Sequence, residues 1–270
     1  MIPGETAAVP ADLSHEQWGP HGGDPVVLLH GLGSCAADWK WQIEALEERY
    51  RVIALDLPAH GHSGPSACPP RGPLRVEAMA TAVEALLGRL AEGPVHVVGL
   101  SLGGCVALAL ALRAPARVRS LTLVNTFARL RPAGWRGVWR MLERLVLLGV
   151  APMPVIAARV ARNLFPRPEQ RELREAAAAR LGSNDKRAYL AAVRAITRFD
   201  VRRRLSEIRC PTLIVAGEAD TTVPHASAEF LQRRIPHARL LVVSGSGHAT
   251  PYDQPDLFNR LVLEFLSGVR

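Results

Sequence analysis

Short apolar runs, set at intervals along the chain, fix what it can fold into. They are Val26–Leu29, Arg51–Leu55, Val95–Val98, Val118–Val124, Thr212–Ala216 and Arg239–Val243. A strand open on one face alternates polar and apolar residues, whereas one covered on both faces reads apolar almost throughout. Between the first four runs lie segments with helical apolar spacing, at about Trp39–Glu48 and Arg75–Leu90. A further buried helix at about Gly103–Arg113 follows the third run. Such alternation predicts an α/β fold, a mostly parallel sheet with helices on both faces. Ahead of it, Leu13–Trp18 reads as part of a short strand pair.

The pattern lapses between residues 126 and 209. Helices are expected there at about Gly137–Leu148, Val155–Leu164, Pro168–Leu181 and Asp185–Thr197, with a short one near Val201–Glu207. The strand pattern then resumes, with a helix at about Ala226–Arg234 and a terminal one at about Pro255–Leu266. We therefore expect a core domain of 1–125 and 210–270 carrying a helical insertion at 126–209. A chain of 270 residues that is 48% hydrophobic can bury such a core.

Charge is uneven. The insertion holds 19 Arg/Lys against 7 Asp/Glu, a net of +12, while the rest of the chain holds 14 against 18. This basic block lacks interleaved aromatics and any nucleic-acid reading motif, so a solvated arginine face is expected and nucleic acid is not an expected partner. Cys35, Cys68, Cys105 and Cys210 form no CxxC pair and no zinc-ligand spacing, so no metal is expected. Neither a signal peptide nor a membrane-spanning run is visible, which predicts a cytoplasmic protein, monomeric or homodimeric, without stable membrane insertion.

Groups that act on ligands in an open α/β sheet sit beyond the C-terminal strand ends. Ser101 lies there in Gly99-Leu100-Ser101-Leu102-Gly103, on a sharp strand-to-helix turn that suits a nucleophile. Asp220 follows the Thr212–Ala216 run and can orient a histidine ring; Glu218 is its neighbour and rival. His248, in the loop Gly245-Ser246-Gly247-His248, is the expected general base. The other histidines fit less well: His96 lies inside a strand, and His60 and His62 have no acid placed after a later strand. Backbone amides should bind the oxyanion. Leu102 supplies one, and the turn His30-Gly31-Leu32-Gly33 supplies another, with Leu32 first and Gly33 second. His30 itself reads as a brace for that turn.

The stretches HGLG at 30–33, ALDLPAHGHSG at 54–64, GLSLGG at 99–104, PTLIVAGEADTTVP at 211–224 and GSGHATPYDQP at 245–255 resemble the α/β-hydrolase fold superfamily, in its lid-bearing branch of small serine esterases and lipase-like hydrolases. The resemblance spans essentially the whole chain and is weakest over 126–209. It implies an eight-stranded sheet with an inserted helical lid, Ser101, Asp220 and His248 as a catalytic triad, and Leu32 and Leu102 as oxyanion amides. Asp56 and the glycines of Gly61–Gly64 match positions that shape the loop beside the site, and are read as structural. No cofactor is implied.

The serine at position 101 excludes relatives that use an aspartate nucleophile. Leu100 and Leu102 depart from the Asn and Met that flank the serine of carbon–carbon bond hydrolases, and Leu102 from the Met common in enol-lactonases and perhydrolases. The expected function is hydrolysis of small to medium hydrophobic carboxylic esters through an acyl-enzyme. The alternative is an enol-lactonase or carbon–carbon hydrolase with a carboxylated substrate; the non-enzymatic alternative is an inactive receptor or scaffold. Apolar insertion segments at 141–150 and 152–156 favour the first, and Arg129, Arg131 or Arg136 paired with a substrate carboxylate would favour the second.

Overall fold

The computed structural model describes residues 12–63, 73–130, 135, 139 and 146–269. Seven strands form one sheet among these residues: β1 (His15–Trp18), β2 (Pro25–Leu29), β3 (Arg51–Leu55), β4 (Val95–Leu100), β5 (Val118–Val124), β6 (Thr212–Gly217) and β7 (Arg239–Val243). Their order is β1-β3-β2-β4-β5-β6-β7. β1 runs antiparallel to β3 and every other pairing is parallel. The expected eighth strand and the first member of the N-terminal pair are not found there; residues 1–11, which precede β1, lie outside the described set.

The unbroken apolar runs become the strands buried on both faces: every residue of β4 and β6 is buried. β4 and β6 each reach a residue or two beyond their expected ends, because the ladder continues through Gly99-Leu100 and Gly217. Leu29 pairs with Gly99, Leu100 with Val124, and Gly217 with Val243. The C-terminal strand ends are thus in register, and the loops bearing the candidate residues leave the sheet along one edge.

Helices cover both faces. α1 (Lys40–Leu46) follows a 3₁₀ turn at Ala36–Trp39 and stops two residues before the expected end. α2 (Val76–Leu90) buries a stripe that includes Met79, Val83 and Leu86. α3 (Leu102–Arg113) is buried along all of its length but the final residue, which its Gly/Ala/Leu composition permits. Two apolar clusters, centred on Leu29, Ile53 and Val106 and on Val26, Trp39 and Phe258, lie on the two faces of the sheet.

Between β5 and β6 stand α4 (Met153–Leu164), α5 (Arg171–Gly182) and α6 (Lys186–Arg198). Asp185 caps α6 by accepting the Ala188 N–H at 2.8 Å, the start the sequence led us to expect. The helix expected at Gly137–Leu148 falls mostly on residues outside the described set, as do Cys68, Gly64, Arg131 and Arg136. The segment has a small core of its own, with Leu148, Met153, Ile156 and Leu181. It is not self-sufficient, because Ala192, Ala195 and Ile196 of α6 join the main core. A neck closes the excursion: Val201 N–H donates to Ala128 O at 3.0 Å, and Arg129 and Asp200 form an isolated antiparallel bridge.

Downstream come α7 (His225–Arg234) and the terminal helix α8 (Pro255–Ser267). Many described arginines of the segment form exposed ion pairs, such as Arg171–Glu175 and Arg204–Glu207. Pairs like these contribute only ~0.5 kcal/mol each, so apolar burial rather than charge seats the helices. No helix among the described residues is long and apolar enough to cross a membrane.

Candidate active site

Ser101 sits at the β4–α3 junction with φ +54° and ψ −110°. A non-glycine residue at positive φ costs of order 1–3 kcal/mol and persists only where its surroundings over-determine it. Here they do. Ser101 N–H donates to Val124 O at 2.9 Å, and Ser101 O accepts from Thr126 Oγ1 at 2.7 Å and from Cys105 N–H at 3.1 Å. The same bonds leave the Leu102 N–H in the first turn of α3, where helical amides have no intrahelical acceptor and the dipole favours negative charge.

His248 follows β7, and its Nδ1 lies 2.7 Å from Asp220 Oδ2. Both side chains are nearly sealed from solvent, at 8% and 4% exposure. The other Asp220 oxygen accepts the N–H groups of Thr222 (2.7 Å) and Val223 (3.0 Å), which fixes the carboxylate in its loop. Glu218, the rival, turns elsewhere: it accepts from Ser244 Oγ at 2.8 Å and Gly245 N–H at 3.0 Å, steadying the loop that leads to His248. These bonds hold its carboxyl below the usual carboxylate range.

Other histidines are committed to structure. His30 Nε2 accepts the Leu57 N–H at 3.0 Å, which leaves Nδ1–H to donate to Gly31 O at 2.8 Å. Burial lowers its pKa, and it braces the turn as a neutral ring. Burial also brings His60 down to about 3 and His96 to about 4, so neither accepts a proton near neutrality. Asp56 accepts the Ala36 and His62 N–H groups at 2.7 Å each and shapes its loop.

The turn at His30–Gly33 closes through Ser34 N–H to Gly31 O at 3.2 Å. A Cβ built on Gly31 would stand 3.7 Å from Ser101 Cβ, so the turn lies directly against the serine. Leu32, Ser101 and His248 all line one cavity of about 400 Å³. Its walls are mainly apolar, with Phe127, Leu148, Val160 and Ile196 among them, and α4–α6 supply much of one side. Arg180 also lines it, but Asp38 stands 3.3 Å from its Nε and offsets the charge. Arg129 is not among the lining residues and faces Asp200 instead. Among the described residues no group of His, Cys, Asp and Glu could hold a metal ion.

Sequence reasoning missed Asn125, which ties three loops together. Its Oδ1 accepts the Gly217 N–H at 2.8 Å, and its Nδ2 donates to His248 O at 2.7 Å and to Thr250 Oγ1 at 2.9 Å. It adopts φ +44°, which asparagine tolerates better than most residues. The signal was available: a polar residue immediately past the C-terminal end of a sheet strand, the rule that found Ser101. Asn125→Ala strands the buried Gly217 amide. We expect it to cost about 2 kcal/mol or more of unfolding free energy, read from urea denaturation, and to slow turnover. A parental midpoint would show that these bonds carry no net stability.

A family model described as alpha/beta hydrolase fold matches residues 24–255. A protein of Azorhizobium caulinodans provisionally named carbamate hydrolase RutD is 34% identical, with 96% of each chain covered. Among solved structures, the enol-lactonase from Burkholderia xenovorans LB400 is 28% identical, with a TM-score of 0.84 and 94% of this chain and 96% of that one covered. A thermophilic esterase from Thermogutta terrifontis is also 28% identical, with a TM-score of 0.79 over 95% and 93% of the two chains.

Proposed function

This chain belongs to the alpha/beta hydrolase fold family and is an enzyme of the serine-hydrolase kind, and from that premise we propose that it opens a small lactone or similarly activated ester through an acyl-enzyme on Ser101. The observation that carries the reading is the buried His248–Asp220 pair, which shares a cavity with the strained Ser101. In this reading residues 126–209 act as a lid.

The substrate carbonyl oxygen points to the amides of Leu32 and Leu102. Ser101 Oγ attacks the carbonyl carbon while His248 Nε2 takes its proton, and Asp220 holds the ring and stabilises the imidazolium. The acyl C–O bond then breaks, and the leaving oxygen takes the proton from His248. In a lactone this oxygen stays tethered to the acyl-enzyme. Water, deprotonated by His248, attacks the acyl carbon, and Ser101 leaves with the proton restored. The product is a hydroxy acid, or a keto acid where the leaving oxygen is enolic.

Two features favour small neutral substrates over long-chain esters. A cavity of about 400 Å³ is near the lower end for small-molecule sites. Its arginine already faces a carboxylate. The relatives add weight to lactones, and also support a second reading, a small carbamate, whose carbonyl would meet the same groups.

The test is a panel of δ-valerolactone, p-nitrophenyl acetate, p-nitrophenyl palmitate and a p-nitrophenyl carbamate. We expect kcat/KM for the lactone and acetate to exceed that for palmitate by at least about tenfold, a single methylene mismatch already being worth that order. A carbamate turned over faster than the lactone would select the second reading. Palmitate as the best substrate, or no turnover of any member, would overturn the proposal.

A further inference from the structure

We propose that Asn184, just beyond the C-terminus of α5, is a positioning residue that sets the oxyanion donor at Leu32; the inference rests on the reaction proposed above. The Asn184 side-chain amide donates to Gly33 O at 2.8 Å, across 151 residues of chain. Two further carbonyls, those of Arg180 and Leu181, lie 3.1 Å from the same nitrogen and belong to the end of its own helix. Gly33 O is thus both the nearest acceptor and the one outside the helix.

A peptide unit is planar and trans, so its N–H and C=O point in opposite directions and fixing one fixes the other. The unit between Gly33 and Ser34 carries the Gly33 oxygen on one side and the Ser34 N–H on the other. Asn184 holds the oxygen, and the Ser34 N–H reaches Gly31 O at 3.2 Å. Gly31 O belongs to the next unit in the relay, whose opposite side is the Leu32 N–H. That N–H is the proposed oxyanion donor. The orientation of the donor therefore depends on two carbonyl anchors. His30 Nδ1–H reinforces Gly31 O from within the core at 2.8 Å, and Asn184 reinforces Gly33 O from the inserted segment.

The helix end is seated firmly enough to act in this way. Gly33 has φ +76°, and a Cβ there would run into Leu181 Cδ2 and stand 3.0 Å from Tyr189 Cε2. Side chains of the insertion thus occupy the space beside the glycine. Asp38 receives Ser34 Oγ at 2.6 Å and faces Arg180 Nε at 3.3 Å, a second link between the same turn and the same helix. That ion pair is partly exposed and worth little alone, which leaves the Asn184 bond as the directed contact. The insertion then contributes to transition-state binding through backbone orientation, besides walling the cavity.

The experiment compares p-nitrophenyl acetate with its thionoacetate analogue, in which sulfur replaces the carbonyl oxygen. A well-aligned oxyanion site prefers the smaller, harder oxygen, so the rate ratio of the two reports donor alignment. Asn184→Asp keeps the shape but cannot donate to a carbonyl, and Asn184→Ala removes the group. For both we expect kcat on the oxygen ester to fall by about tenfold to a hundredfold with KM changed by less than about twofold, and the oxygen-to-sulfur ratio to fall by at least about fivefold. Ser183→Ala removes the hydroxyl that donates to Arg180 O at 2.8 Å at the same helix end, without touching the turn, and should keep the parental ratio. A purely capping role for Asn184 would lower the urea midpoint and leave the ratio unchanged, which overturns the inference. If Ser101→Ala abolishes hydrolysis while both Asn184 variants keep the parental ratio, only this inference fails. If Ser101→Ala retains activity, the proposed reaction fails with it.

Discussion

Ser101→Ala is expected to reduce kcat/KM on p-nitrophenyl acetate by about 10⁴-fold or more, by analogy with removal of the serine nucleophile in enzymes that use a Ser-His-Asp triad. The substitution deletes a single oxygen. It leaves the Asp220–His248 pair, the cavity walls and the backbone bonds of residue 101 in place. Substrate binding should therefore change little, and the loss should fall on kcat. Stability should change little too, since alanine inherits the same φ of +54°. Ser101→Gly makes the strain itself measurable. Glycine accepts that backbone geometry, so this variant should be equally inactive yet gain about 1 kcal/mol of stability, after allowance for glycine's greater unfolded-state entropy. Urea denaturation of the two variants reads the difference. A Ser101→Ala protein retaining a tenth of the parental rate would mean that another group, or water directly, attacks the substrate.

The second large effect concerns folding. A Cβ added at Gly103 would overlap the Leu29 carbonyl oxygen and stand 2.8 Å from His30 O. Both obstacles are backbone, in β2 and at the start of the His30–Gly33 turn, so no side chain can rotate away. Gly103→Ala must push α3 off the sheet or bend β2. We expect a loss of about 3 kcal/mol or more, the upper end of overpacking costs, together with lost activity as the serine and the turn separate. Gly93→Ala is the control: nothing lies within 4 Å of a Cβ there, and its unfolding free energy should stay within ~0.5 kcal/mol of the parent. Equal midpoints for the two variants would show that the approach of α3 to β2 is looser than the structure has it.

The sheet was legible because strands buried on both faces, such as β4 and β6, leave continuous apolar runs that survive in one dimension. The candidate groups were legible for a related reason. Strand ends in parallel register place their following loops side by side, so Ser101, Asp220 and His248 could be named from position alone. The bonds that tune the site were not legible. Asn125 reaches the Gly217 amide across 92 residues and Asn184 reaches Gly33 O across 151. Both partners are backbone groups, which carry no sequence signature. The expected helix at Trp39–Glu48 missed in a different way: its apolar spacing was correct, but a 3₁₀ turn at Ala36–Trp39 leads into it and the helix ends at Leu46, which periodicity does not register.

The neck at Ala128–Val201 and Arg129–Asp200 has a consequence for how such chains diversify. It brings the two ends of the insertion together, so the sheet registers only that a loop leaves and returns. Loop-closure entropy grows so slowly with length that doubling the excursion would cost about 0.6 kcal/mol. Length and content beyond the neck can therefore drift almost freely, subject to two toll points: the α6 face that completes the main core, and the foot of α5 that rests on the turn at Gly33. A chimera grafted at the neck that keeps those two surfaces would inherit the reaction and acquire a new appetite.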